Sequence, residues 1–594
     1  MIRLLISQTV LPLAAFIINN TPSFIWALIE FFFDICFFWV RRLYHHFYRK
    51  DPLKEHIKQL KNVQNYTEWK ATTFEIDRLT NMDLWRENFI SKHYDYVLIN
   101  ERTKLLREAR ENRDFQQIMS LLRAGLIRNF GGIAQKRLFL KSYMGTKFKI
   151  EEYINEVLSC LDFLNESLNS GNGNDYVMNS KQLKLDFFHD ARQSFGCTAL
   201  LLQGGSLFGL CHLGVVKALY FKRLLPRVIA GSAVGAAVAS LVCTLTDEDL
   251  IPILVNIEEL MKNIDILNHE IDERYGNVVE NVVKKGYSQD ILLFLKFVRD
   301  TIGDLTFEEA YMKTRKILNI VVHPTNRSVP SLLNYITAPN VIIWTAIYAS
   351  IGTGVLSDDI ALYVKDFNNE IVLQTPDINV KFLKPQDVSY LTSYFQKNLS
   401  TNIQHQSPYT KLTELFNVNH FVISLARPYL APLISNDLKH YHTSYGNVKY
   451  DKKTKTYDNG TEMTKKDIEK YAKDTGFNFM KRFKTILGME IQHRLVVLNK
   501  LGLLNEVMKR FFIDEKPTSL QYLASIREVT IVPEVRYLVK DFSRVFDVHR
   551  TMENIPYWVL VGERSVWPLF PLLWTRCAIE FALDDLYNLH RKRG

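Results

Sequence analysis

The sequence predicts an α/β fold in which a central, mostly parallel sheet is flanked by helical N- and C-terminal regions. Three observations carry that expectation. From Cys197 to Cys243 the chain reads "CTALLLQGGSLFGLCHLGVVKALYFKRLLPRVIAGSAVGAAVASLVC": a short apolar strand, a glycine turn, a helix, a second strand and turn, and a helix of small residues. That alternation is how parallel strands joined by crossover helices are written. Further apolar runs, "KILNIVV", "VIIWTAIYASIGTGV" and "HFVISLA", continue it. On both flanks apolar residues recur at intervals of three and four, which is the helical period.

The 594 residues suggest about three to five units. Residues 1–50 form the first, where "MIRLLISQTVLPLAAFIINN" and "FIWALIEFFFDICFFWVRRLYHH" are apolar stretches of about 17 residues parted at Pro22. Each is short for a bilayer span, and Arg3, Glu30 and Asp34 are costly at a bilayer centre. A hairpin dipping into one leaflet fits better than a span. Arg41, Arg42, His45, His46, Arg49 and Lys50 follow at the level of phospholipid headgroups. No small-residue cleavage site accompanies the first stretch, so it is expected to stay attached.

Residues 51–190 read as a helical domain ending in "NSGNGND", and 191–438 as the α/β domain. Residues 439–476, rich in Lys, Asp, Thr and Asn, read as a polar, partly flexible insert, and 477–594 as a helical C-terminal region. Six scattered cysteines with no CxxC pair read as buried thiols of a reducing compartment. The net charge of +10 is dispersed, which disfavours nucleic acid and fits a membrane surface. No cofactor and no metal site is expected; His440 and His442 lack further ligands at metal spacing.

The chemistry concentrates in two turns. A serine ester hydrolase needs its hydroxyl at the tip of a strained strand-to-helix turn, with glycines two before and two after leaving room for the neighbouring backbone. In "RVIAGSAVGAAVASLVC" Gly231 and Gly235 hold those flanking places, and the centre is Ala233. Ser232 is a weak fallback, since glycines would be needed at 230 and 234, which are Ala230 and Val234. No GxSxG occurs anywhere in the chain. Upstream, "LLLQGGSLFG" runs an apolar strand into Gly204, Gly205 and Ser206, a turn whose free N–H groups suit an oxyanion. Neither dinucleotide nor P-loop spelling fits it.

These two turns at this separation resemble those of the patatin-like phospholipase family. The likeness to lipid-droplet triacylglycerol lipases of that family extends through "KSYMGTKFKIEEYI", "GYSQDILLFLKFVRD" and "SPYTKLTELFNVNHFVISLARPYLAPLISNDLKH" to "NIPYWVLVGERSVWPLFPLLWTRCAIEFALDDL". The resemblance implies a patatin-like domain on the cytosolic face of lipid droplets and endoplasmic reticulum, with triacylglycerol or another acyl lipid as partner and other droplet proteins as possible partners. It also implies a lysophospholipid acyltransferase activity.

Carried over, the family's oxyanion turn falls on Gly204, Gly205 and Ser206, its elbow glycines on Gly231 and Gly235, and its nucleophile on Ala233. The family's dyad aspartate stands in an Asp-Gly pair, and this chain contains none; Asp358 or Asp359 is the alternative base. The HxxxxD pattern tied to acyltransferase activity has Lys285 at its first position and Asp290 at its last, and a protonated lysine is a poor base. One intact copy, His46 to Asp51, follows the membrane segment and reads as a headgroup-level flank. The expectation is a triacylglycerol lipase homologue unable to hydrolyse esters, retaining lipid binding or a scaffold role. The alternative is an active lipase or acyltransferase, with the alanine an engineered exchange or bypassed.

Overall fold

The structure is a computed structural model. It describes residues 32–40, 52–166, 181–204, 207–266, 289–325, 329–352, 360–374, 380–383, 408–427, 528–533 and 551–593, with a few positions between 449 and 498. Two compact units divide the chain, Met1–Ile76 and Asp77–Gly594. In the first, residues 32–40 are helical with every side chain exposed, among them Phe32, Phe33, Phe37, Phe38 and Trp39. The rest of the expected membrane hairpin lies outside the described residues.

The second unit begins with helices. Helix α1 (Tyr96–Glu111) starts where Asp95 accepts the Leu98 N–H, and it buries Ile99, Thr103, Leu106 and Ala109 on one stripe. That stripe packs on α2 (Phe148–Glu166), which turns in Ile150, Ile154, Val157 and Leu161. The Asp77 carboxylate, buried, ties down the preceding loop by accepting the Ser142 hydroxyl and the N–H groups of Tyr143 and Met144. Helix α3 (Lys181–Phe195) then leads into the sheet.

Six strands form that sheet: β1 (Cys197–Gln203), β2 (Val228–Gly231), β3 (Ile317–Val321), β4 (Leu332–Leu333), β5 (Val418–Leu425) and β6 (Glu528–Ile531). Their order is β6-β5-β1-β2-β3-β4, parallel except for the β3–β4 pair. The expected α/β class with flanking helices is therefore observed. One element differs: β6 is a strand within the stretch read as wholly helical, an edge strand of four residues too brief to display a period.

Helices cover both faces. Alternate strand residues, among them Leu201, Ala230 and Ile423, enter one apolar cluster. Helices α4 (Cys211–Phe221), α5 (Val234–Thr244) and α6 (Ile343–Ile351) follow the strands. The chain ends in α7 (Thr551–Val566) and α8 (Phe570–Arg593). By length and apolarity this last region suffices to cross a bilayer, but it is mostly buried, with Trp558, Trp567 and Leu572 in the core. Helix α4 meets α7 at Gly214 and Gly562, where a Cβ on Gly214 would stand 1.9 Å from the Val559 carbonyl oxygen.

A buried polar cluster locks the N-terminal edge of the sheet. Arg128 pairs with Glu580 of α8 at 3.0 Å and donates to the Gly196 carbonyl and Asn419. Glu580 accepts the Thr198 N–H at 2.6 Å and its hydroxyl at 2.5 Å. Arg576 donates to the Ala134 carbonyl and meets the His420 ring at 3.3 Å. Helical region, sheet and C-terminal helix are thereby joined at one point. Of the cysteines, Cys160, Cys211, Cys243 and Cys577 are buried as expected, Cys197 is half-buried and Cys36 is exposed on the 32–40 helix.

Replacing Gly214 by alanine forces α4 and α7 apart, and stability should fall by about 3 kcal/mol or more. Denaturant unfolding of Gly214→Ala against the parent chain checks this.

Candidate active site

Strand β2 ends at Gly231 and helix α5 begins at Val234, so only Ser232 and Ala233 make the turn. Ala233 stands at its apex with φ 51° and ψ −122°. This lies outside the wells open to a residue with a Cβ and costs about 1–3 kcal/mol. What imposes it is close backbone packing. A Cβ on Gly235 would lie 2.1 Å from the Leu202 carbonyl oxygen of β1, and one on Gly231 would lie 2.5 Å from the Ala236 Cα. Glycine at both positions is thus a steric requirement of the turn.

The upstream turn is bolted to this one. Gly204, at φ 66°, donates its N–H to the Ser232 hydroxyl at 3.1 Å and accepts the Gly235 N–H at 3.2 Å. The Ser232 N–H returns to the Leu202 carbonyl at 3.0 Å. Ser232 is therefore buried and turned toward the backbone, while Ala233 holds the apex. Gly205 and Ser206 lie outside the described residues. So do Lys285, His46, Asp51, Asp358, Asp359, His440 and His442; Asp290 is in a helix, Gln289–Ile302, but its side chain is not described.

Two supporting side chains escape sequence reading. Ser350, in the last turn of α6, accepts the Ala233 N–H at 2.9 Å and donates to the Val321 carbonyl at 2.6 Å. It thereby fixes the apex against the end of β3. His212, the second residue of α4, is fully buried with Nδ1 2.9 Å from the Ser424 hydroxyl of β5. Nε2 has no hydrogen-bond partner among the described residues, although the ring faces the carbonyls of Gln203 and Gly204. Burial lowers its pKa to about 4, so the ring is neutral at physiological pH.

Chemically, the apex supplies a methyl group. Among the described residues the N–H of Val234, the first residue of α5, has no partner, and such an amide at a helix start favours an oxygen carrying negative charge. No group of three or more His, Cys, Asp or Glu suited to a metal occurs among the described residues.

Similarity to known proteins follows this geometry. The patatin-like phospholipase family matches residues 200–356, and a domain of unknown function, DUF3336, matches 46–193. Triacylglycerol lipase 3 of Saccharomyces cerevisiae is 36% identical over 97% of this chain and 96% of its own length. Triacylglycerol lipase ptl1 of Schizosaccharomyces pombe is 33% identical over 90% of this chain and 85% of its own. Triacylglycerol lipase ptl3 of the same yeast is 27% identical over 91% and 99%.

Two measurements test the physical account of the turn. Gly303 also has positive φ, at 63°, but nothing stands within 4 Å of its Cβ direction. Gly303→Ala should cost about 1 kcal/mol from backbone conformation alone. Gly235→Ala should cost at least twice as much and also disturb the Gly204 contact; paired unfolding curves decide it. The second concerns acid. His212 has a lowered pKa, so the unfolded chain takes up its proton first as pH falls, and stability is lost from about pH 6.5 down to about 4. His212→Asn should remove about 3 kcal/mol of that pH dependence, read as the difference between the two proteins' stability-versus-pH curves.

Proposed function

The chain belongs to the patatin-like phospholipase family, and on that premise we propose that it is a lipid-surface homologue of triacylglycerol lipases that cannot hydrolyse esters. The family's nucleophile position falls on Ala233. The observation carrying this reading is the backbone at that residue: φ 51° at the apex of a strand-turn-helix, the conformation an elbow demands, on a residue without a hydroxyl. Ser232 offers no substitute, because its oxygen already receives the Gly204 N–H from a buried position.

The magnitude is large. In subtilisin, loss of the serine nucleophile costs about a million-fold in turnover, leaving only what binding and the oxyanion hole provide. An alanine forms no acyl-enzyme. What persists is the glycine turn, the Val234 amide and the surrounding fold, which suit binding of an acyl lipid and a regulatory or scaffold role. Triacylglycerol is the substrate class suggested by the relatives' names. The proposed location is the cytosolic face of lipid droplets and endoplasmic reticulum. Exposed Phe32, Phe33, Phe37, Phe38 and Trp39, followed by a basic flank, support contact with a phospholipid monolayer.

Fatty-acid release from emulsified triolein, with lipid binding of the proteins matched, tests the reading. The unmodified chain should give no release above background, and Ala233→Ser should raise it at least about a thousand-fold. Comparable release by the unmodified chain overturns the reading. An inactive revertant confines it to lipid binding, with further catalytic groups lost.

A further inference from the structure

The glycine turn depends on one peptide group, that between Gln203 and Gly204. Gly204, at φ 66°, has no Cβ to restrict it, so nothing in its own covalent structure fixes how the flanking peptides face. Neighbours do so. The Gly204 N–H donates to the Ser232 hydroxyl at 3.1 Å, and the Gly204 carbonyl accepts the Gly235 N–H at 3.2 Å. In a planar trans peptide the Gln203 carbonyl points the opposite way from the Gly204 N–H. There the chain supplies His212, whose ring faces the carbonyls of Gln203 and Gly204.

Chemistry decides which ring nitrogen holds the proton. The ring is fully buried and neutral, so one nitrogen carries hydrogen and the other does not. Nδ1 lies 2.9 Å from the Ser424 hydroxyl, which can donate or accept. Carbonyl oxygens only accept. Nε2 is buried, and the described residues offer it no other partner, so against these carbonyls an N–H is favoured over a bare lone pair. Ser424 then donates to Nδ1. It is itself held in place, fully buried in β5 and in register with Leu202 of β1.

We propose that His212, held as its Nε2–H tautomer by Ser424, is a positioning residue for the glycine turn: it fixes the carbonyl side of the Gln203–Gly204 peptide while Ser232 fixes the N–H side. Its effect on an ester passes through the turn. The proposal rests on the turn and the Ala233 apex having the framework of an ester-hydrolase site.

The test uses the full-length chain carrying Ala233→Ser, assayed on soluble p-nitrophenyl butyrate, with amide hydrogen exchange at Gly204 followed in the same protein. Adding His212→Leu should lower kcat about tenfold or more with KM within about twofold, and speed exchange of the Gly204 amide about tenfold. His212→Gln, which brings an amide N–H in place of Nε2–H, should recover part of both. Ser424→Ala should act in the same direction and add little to His212→Leu in the double variant, as expected of two groups working as one unit. Should His212→Leu not fold, judged by its melting curve, Ser424→Ala carries the comparison. A loss confined to KM, or kcat or exchange indifferent to these changes, overturns the proposal. If Ala233→Ser hydrolyses nothing, the ester-hydrolase reading fails and Gly204 exchange alone decides: faster in His212→Leu and slower again in His212→Gln upholds the clamp, and unchanged exchange overturns it.

Discussion

Contact between two backbones governs the centre of this molecule. Strand β1 and helix α5 approach so closely that the Gly235 N–H bonds the Gly204 carbonyl and no Cβ fits between Gly235 and Leu202. With that separation fixed, the chain has two residues in which to leave β2 and enter α5, and a turn so tight drives its apex to positive φ. The strain at Ala233 is a property of the packing around it. It does not require the apex to carry any particular chemistry, which is why a residue with no functional group sits in a conformation that glycine would adopt more easily.

The two edges of the sheet are built on opposite principles. At the N-terminal edge, Arg128, Thr198, His420, Arg576 and Glu580 bond one another in a buried network. Burial raises the pKa of the Glu580 carboxyl, and Arg128 and the Thr198 contacts pull it back. Burial and nearby arginines hold the His420 ring well below its usual range. At the C-terminal edge the described backbone donors are spaced around a glycine turn. Ligands of parallel α/β proteins gather at the carboxyl ends of the strands because there the backbone leaves amides unspent.

Much of this was legible in the residues. Strands β1, β2 and β5 are built around short apolar runs, and the glycines at 204, 231 and 235 mark turns that the structure contains. What sequence could not reveal were partnerships across distance. Ser350 reaches Ala233 over 117 positions and His212 reaches Ser424 over 212, and no local pattern encodes either. Strand β6 was hidden by brevity inside a stretch of helical period. Cys36 was misjudged because apolar neighbours usually mean a core, whereas residues 32–40 turn theirs outward.

The network at the sheet's N-terminal edge also sets a schedule. Arg128 and the Arg576 carbonyl are separated by 448 positions, and Thr198 and Glu580 by 382, so the knot cannot be tied until residues 576–580 have left the ribosome. Contacts this remote in sequence make assembly slow. The exposed aromatic helix at 32–40 emerges long before them. Synthesis therefore delivers the exposed aromatic helix long before the helix that closes the sheet. A chain terminated before α8 is born with an open core.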